Sequence, residues 1–288
     1  MYLDFYRLQE KPFHVTPDPR FFFFGTKYQQ ALASLQYGIK EKKGFIMISG
    51  EVGCGKTTLC RLLLQELHKD SRIEVAIVLN TFLSEKELLA AINQDFLIPQ
   101  AGTTRGALLQ SLNEFLLNKK KEGKNVVLFI DEAQNLKCSV LEQIRMLSNL
   151  ETDTDKLIQI ILVGQPELVT KLQLPQLRQL DQRIAVRYHL SPLDLAETSS
   201  YIEHRLKKAG AISTQLFSAG AFARIHQASG GIPRRINLIC DYTLMVGFVK
   251  EMHRPDESVV EAALLEMSHP DNSKIARQST EEPALISR

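Results

Sequence analysis

The chain has 288 residues, 44% of them hydrophobic and 24% charged, with no tryptophan; that length suits one large domain with a substantial core plus a smaller one. Lys and Arg number 35 against 33 Asp and Glu, a formal charge of +2, so no strong field singles out a nucleic acid or an acidic partner, and DNA binding is neither implied nor excluded.

The first residues, MYLDFYRLQEK, lack the basic start and apolar stretch of a signal peptide. No apolar run approaches the roughly 18 residues of a membrane span. The Phe21–Phe24 run reads as a buried strand or an extended packing segment. The first strand is expected at Phe45–Ser49, followed by Gly50-Glu51-Val52-Gly53-Cys54-Gly55-Lys56-Thr57-Thr58 and an amphipathic helix over Leu59–His68. This fits G-x-x-x-x-G-K-[ST] in the strand–loop–helix context the motif requires. The glycines let backbone N–H groups turn into one concavity for phosphate oxygens, and the helix adds the positive end of its dipole. Lys56 is placed for the outer phosphates and Thr57 for Mg²⁺. The chain is therefore expected to bind a nucleoside triphosphate.

A second strand is expected at Ile73–Leu79, with Asn80 at its end either sensing nucleotide or simply forming a turn. Ser84 and Glu87 make a capping box opening a helix over Glu85–Asp95. Ala107–Lys121 carries leucines at helical spacing and ends in positive charge, as a helix C-terminus prefers. The third strand, Val126–Ile130, runs straight into Asp131 and Glu132. A buried apolar strand places such a pair at the carboxyl edge of the sheet, where ligands bind in α/β folds. Asp131 is then placed to hold Mg²⁺ and Glu132 to polarise an attacking water.

A helix over Val140–Leu150 precedes the fourth strand, Leu157–Val163, after which Gln165 either senses a γ-phosphate and orients water with Glu132 or caps the turn before Pro166. Arg183 and then Arg178, before the fifth strand Ala185–Leu190, are the arginines placed to serve a neighbour's γ-phosphate, with an intrachain ion pair to Asp181 as the alternative. Alternating strand and helix over residues 45–190 means an α/β fold. Beyond Ser191-Pro192-Leu193 only helical patterns remain, at about Leu195–Ala209, Gln215–Ser229, Arg234–Lys250 and Val259–Met267, with Asp194, Thr214 and Ser258 as caps or near-caps. Arg234 and Arg235 stand at a helix start, a costly place for two cations unless an anion sits there; Arg234 is the residue expected to report nucleotide state. The basic clusters Lys40–Lys43, Lys119–Lys121 and Arg205–Lys208 lie at helix ends and read as solvated. From about His269 the residues are polar and without period, a disordered tail or linker. Cys54, Cys60, Cys138 and Cys240 form no C-x-x-C pair, which argues against zinc and disulfides and, with the phosphate loop, for the reducing cytoplasm.

Taken together, Lys11-Pro12-Phe13, Thr16–Phe22, GEVGCGKTT, LFIDEAQNL (Leu128–Leu136), LVGQPEL (Leu162–Leu168) and GIPRRIN (Gly231–Asn237) resemble the general secretion pathway A (ExeA/GspA) family of AAA+ ATPases, which includes the MSHA pilus biogenesis ATPase. The resemblance spans about residues 1–268. It implies a P-loop NTPase (AAA+) parallel five-stranded sheet over residues 1–190, a helical lid over 191–268 and a tail from 269 to 288. It further implies that residues 1–44 lie near the adenine, with Phe13 and Pro17 as contacts. ATP and Mg²⁺ are the implied cofactors. A homo-oligomer and the envelope proteins of a type II secretin or a type IV or MSHA pilus are the implied partners. Members usually continue into a membrane span, whereas this chain ends at Arg288, so membrane contact is expected only through a partner or a segment beyond it. Cys54 replaces a small residue common in the family, at a position that contributes mainly its N–H. An alternative is a DNA-dependent transposition regulator of the TnsC type, which shares a DEAQ-like strand end; a small-molecule P-loop kinase is disfavoured by Glu132.

Overall fold

The apolar runs without helical period form β1 (Phe45–Gly50), β2 (Ile73–Val78), β3 (Asn125–Ile130), β4 (Gln159–Gly164) and β5 (Ile184–Leu190). They pair in parallel in the order β2-β3-β4-β1-β5. The computed structural model describes residues 1–14, 18–99, 102–151 and 156–268. These fall into two units, Phe24–Pro192 and Met1–Phe23 together with the chain from Leu193 onward.

In the first unit every residue of β1 and β4 is buried, which is why their sequences are continuous in apolar side chains rather than alternating. Phe45, Met47, Leu128, Ile130, Ile160 and Leu162 share one core with Leu88, Leu112 and Leu141. Those leucines come from the helices Glu85–Asp95, Arg105–Lys121 and Cys138–Leu147. Ile46, Ile48, Val127, Phe129 and Ile161, also fully buried, fill the opposite face, since successive strand side chains alternate. Each such burial contributes about 1.5–3 kcal/mol. Helix Lys56–Leu67 packs on β1 and β2, and helix Thr26–Lys40 on β5. Ser84 and Glu87 form the expected capping box. Thr104 accepts the Ala107 N–H at 3.2 Å, so the next helix opens two residues before its expected start. At the β2 edge, Asp95 accepts the Ile77 N–H at 2.6 Å, which satisfies a donor that an edge strand would otherwise leave unpaired.

The second unit is helical, as expected, with helices Leu195–Lys208, Ala219–Ser229, Pro233–Val249 and Glu257–Ser268. Asp194 caps the first through a capping box with Glu197. The second starts later than its pattern suggested: Phe217 enters the core and Ser218, not Thr214, accepts the Ala221 N–H. Asp256, not Ser258, takes the first amides of the last helix.

The N-terminal segment and its contacts correct three expectations. Residues 1–23, assigned from the sequence to the α/β domain, cluster with the helices instead. Tyr2 donates to Asp241 at 2.6 Å, Tyr6 to the Met252 carbonyl at 3.0 Å, and the Gln9 N–H to the Ala209 carbonyl at 2.8 Å. Arg205, read as part of a solvated basic cluster, is buried. Its guanidinium donates to the carbonyls of Pro12 at 2.5 Å and His14 at 3.3 Å and to the Tyr201 hydroxyl at 2.9 Å. A buried guanidinium is tolerated because these acceptors replace its water. Phe21 is likewise buried, in a short 3₁₀ turn rather than a strand. The expected tail from His269 lies outside the described residues. Among the described residues no helix is long and apolar enough to cross a membrane.

Candidate functional site

The strand order sets β3, β4 and β1 side by side, so the segments leaving their carboxyl ends meet at one edge of the sheet. That edge carries Gly50, Asp131 and Gln165 together. Between β1 and helix Lys56–Leu67 the loop reverses through Gly53 at φ +84° and Gly55 at φ +91°, the left-handed region that glycine enters without steric cost. Gly55 precedes the helix and offers no side-chain cap. The first-turn N–H groups, which have no intrahelical acceptor, therefore remain available to an anion. Lys56 is only 6% exposed. Its ammonium folds back over the loop, donating to the carbonyls of Gly50 at 2.7 Å and Glu51 at 3.0 Å. Glu51 and Val52 are exposed on the outer rim and Cys54 is buried, where burial pushes its thiol up. Thr57 and Thr58 occupy the first helical turn, both half-buried.

Across the loop, the Thr57 hydroxyl donates to Asp131 at 3.3 Å, and the other Asp131 oxygen accepts the Glu132 N–H at 2.9 Å. Burial raises the Asp131 carboxyl above its ordinary range, and the Glu132 charge adds to this. The Glu132 amide, the Thr57 hydroxyl and Lys56 act against it. A carboxylate and a hydroxyl this close are hard oxygen donors of the kind Mg²⁺ takes alongside substrate phosphates.

Glu132 has φ +51° and ψ +39°, a left-handed conformation that costs a non-glycine residue about 1–3 kcal/mol and clusters at functional positions. The surroundings hold it there. The Thr81 hydroxyl donates to its carbonyl at 3.2 Å. Its carboxylate accepts from Gln134 at 2.5 Å and from Gln165 at 3.2 Å. Gln165 therefore contacts the residue it was expected to assist, and it also stands at the N-cap position of helix Pro166–Leu172 without a side-chain cap bond. Asn80 has the simpler role, accepting the Phe82 N–H at 3.1 Å in a turn.

Arg183 and Arg178 are not brought to this edge. In the parallel register Phe45 pairs with Ile184 and Gly50 with Leu190. Arg183 consequently stands at the opposite edge, about 16–20 Å from the loop at ~3.3 Å per residue. There it donates to Ser148 at 3.0 Å and Asn149 at 2.5 Å, while Asp181 pairs with Arg187 instead. Arg178 is exposed at the start of helix Arg178–Arg183. Arg234 is exposed at the start of helix Pro233–Val249 in the helical unit, where Arg235 donates to the Ala228 carbonyl. Phe13, expected against an adenine, is 1% exposed with its ring edge-on to Phe217; it is a core side chain of the helical unit. Pro17 lies outside the described residues. Three contributors escaped the sequence reading: Tyr28, Thr81 and Gln134. Only Gln134 carried a local signal, lying two residues after Glu132 in the same LFIDEAQNL run.

The AAA domain family model matches residues 39–172, from the helix before β1 to the helix after β4. The chain is 44% identical over 269 residues to General secretion pathway protein A of Aeromonas hydrophila, an alignment covering 93% of this chain and 49% of that protein. It is 29% identical over 159 residues to an uncharacterised HTH-type transcriptional regulator of Methanocaldococcus jannaschii, covering 52% and 37%. The chain thus spans half or less of these relatives. Among solved structures it is similar to the Aeropyrum pernix ORC2 protein, with a TM-score of 0.62, 18% identity and coverage of 90% of this chain and 72% of that one. The Thermotoga maritima RuvB branch migration motor gives a TM-score of 0.52 at 18% identity, covering 89% and 76%. At such identities these two show a shared fold.

Proposed function

From this chain's membership of the AAA ATPase family of General secretion pathway protein A, we infer that it binds ATP in the Gly50–Thr58 loop and hydrolyses it through Glu132. The single observation that carries this reading is the Thr57–Asp131–Glu132 chain of contacts facing the loop. It supports reading Thr57 and Asp131 as a cation-binding oxygen pair and Glu132 as a carboxylate base beside one phosphate cradle. The loop and first-turn N–H groups bind phosphate oxygens. Lys56 exchanges its contacts with the Gly50 and Glu51 carbonyls for the outer phosphates. Thr57 and Asp131 are the residues that would hold Mg²⁺, which when bound offsets the charge gathering on the phosphates. Glu132 takes the proton of the attacking water. Arg183, with Arg178 beside it, is assigned to a neighbouring subunit's phosphate, which makes the working form a homo-oligomer. Arg234 is assigned to reporting nucleotide state from the helical unit.

The work driven by hydrolysis is assigned to assembly of a bacterial secretion machine, on the ground that the Aeromonas relative is named for the general secretion pathway. The residues the two chains share are the support for this assignment. Calorimetry and turnover with two variants test the chemistry. Lys56→Ala is expected to abolish ATP binding. Glu132→Gln is expected to keep binding and lose turnover by about 10²–10⁴-fold, the usual worth of a positioned acid or base. Unchanged affinity in the first, or normal turnover in the second, would falsify the corresponding assignment. Double-stranded DNA added to the same assay is expected to leave the rate unaltered, whereas stimulation would favour a DNA-dependent regulator.

A further inference from the structure

The Gln134 side chain is bonded at both ends. Its Nε2 donates to Glu132 Oε2 at 2.5 Å and its Oε1 accepts the Gln165 N–H at 3.1 Å. The amide can lie only this way round, because the flipped form would set a carbonyl against a carboxylate and an NH₂ against an N–H. The 3₁₀ turn that carries it, Ala133–Asn135, is held by Lys171, which donates to the carbonyls of Gln134 and Leu136. Gly164 keeps the space open, since a Cβ there would stand 3.0 Å from Gln134 Oε1. Gln165 Nε2 donates to the same Glu132 oxygen. Two amides therefore converge on Oε2, while Oε1 accepts no hydrogen bond among the described residues.

We propose that Gln134 is a positioning residue: it fixes Glu132 through Oε2, leaving Oε1 as the oxygen that takes the water proton, and ties that carboxylate to the end of β4. This rests on the hydrolytic reading above. In the step, the water oxygen bonds to the γ-phosphorus, and the bond from that phosphorus to the β–γ bridging oxygen breaks. Its electron pair leaves with ADP, and the water proton moves to Oε1. Gln134 exchanges no proton; it holds the acceptor in place. A misplacement of about 1 Å in such a group costs up to about 10²-fold in rate.

The test compares Gln134→Met, which removes both hydrogen-bonding ends at similar volume, with Gln134→Glu, which keeps the shape but turns a second acceptor toward Oε2. Both are expected to lower kcat by about 10–100-fold. KM, and calorimetric affinity for a slowly hydrolysed ATP analogue, should stay within about two-fold, the pattern of an interaction made only in the transition state. Combining Gln134→Met with Gln165→Met is expected to cost less than the sum of the two, because both amides act on one oxygen. If the Met variant fails to show a cooperative melt, the Glu variant decides. The proposal is overturned if kcat stays within about two-fold of the parent while Glu132→Gln is inactive, or if the variants lose analogue binding and melting stability in proportion to rate. Normal turnover in Glu132→Gln would instead overturn the hydrolytic reading itself.

Discussion

The Tyr28 hydroxyl donates to the Cys54 carbonyl at 2.5 Å, and the same oxygen lies 2.8 Å from where a Cβ at Gly55 would stand. Helix Thr26–Lys40 thus braces the phosphate loop from outside the motif, and Gly55 is needed for space as well as for its φ of +91°. Gly55→Ala is expected to weaken ATP binding by at least about ten-fold, since left-handed strain of about 1–2 kcal/mol adds to the collision. Adding Tyr28→Phe removes the colliding oxygen and not the strain, so the double variant should recover affinity only in part. Full affinity in Gly55→Ala by calorimetry would show that the loop tolerates a side chain there.

Asp131 is expected to show a conflict between stability and chemistry. A carboxyl raised by burial stabilises the fold while protonated, below its ordinary value of 3.8. That contribution is lost as pH rises through the raised value. At neutral pH the ionised group therefore costs stability in the ligand-free protein. Asp131→Asn should melt higher at pH 7, by about 2–4 °C for each kcal/mol recovered, with the gap closing in acid, and should lose hydrolysis. A lower melting temperature at pH 7 would mean that the Thr57 and Glu132 contacts outweigh burial.

Arg183 is out of reach of its own phosphate loop, so its assignment stands or falls on mixing. Arg183→Ala and Lys56→Ala should each be inactive alone. Together they should regain part of the activity, since an arginine supplied to a neighbour's γ-phosphate is worth about 10³–10⁵ in rate. Absence of recovery at every ratio, with co-assembly confirmed by gel filtration, would return Arg183 to its contacts with Ser148 and Asn149 as a structural residue.

The readable parts share one property: their signals are local. The strand Val126–Ile130 is apolar because both its faces are covered, and Asp131 and Glu132 follow because the chain there leaves the sheet, where both are only half-buried. The box at Ser84 and Glu87 closes within one turn, and the phosphate loop is contiguous. The misread parts depend on partners far along the chain. Arg205 looked like a solvated helix-end cation, but Pro12 and His14, more than 190 residues upstream, accept its protons. The start of helix Ala219–Ser229 moved because Phe217 found a partner in Phe13.

The amino-acid order alone determined that the glycine-rich loop from Gly50, Asp131 and Glu132 would share the edge of a parallel sheet, because hydrophobic period and strand ends are written residue by residue. Only the tertiary structure decided that Glu132 adopts a left-handed turn pinned by Gln134, Gln165 and Thr81, that Tyr28 braces the loop, and that residues 1–23 join the helices. Those contacts bridge separate segments, and hydrogen-bond geometry between them exists only once the core has packed.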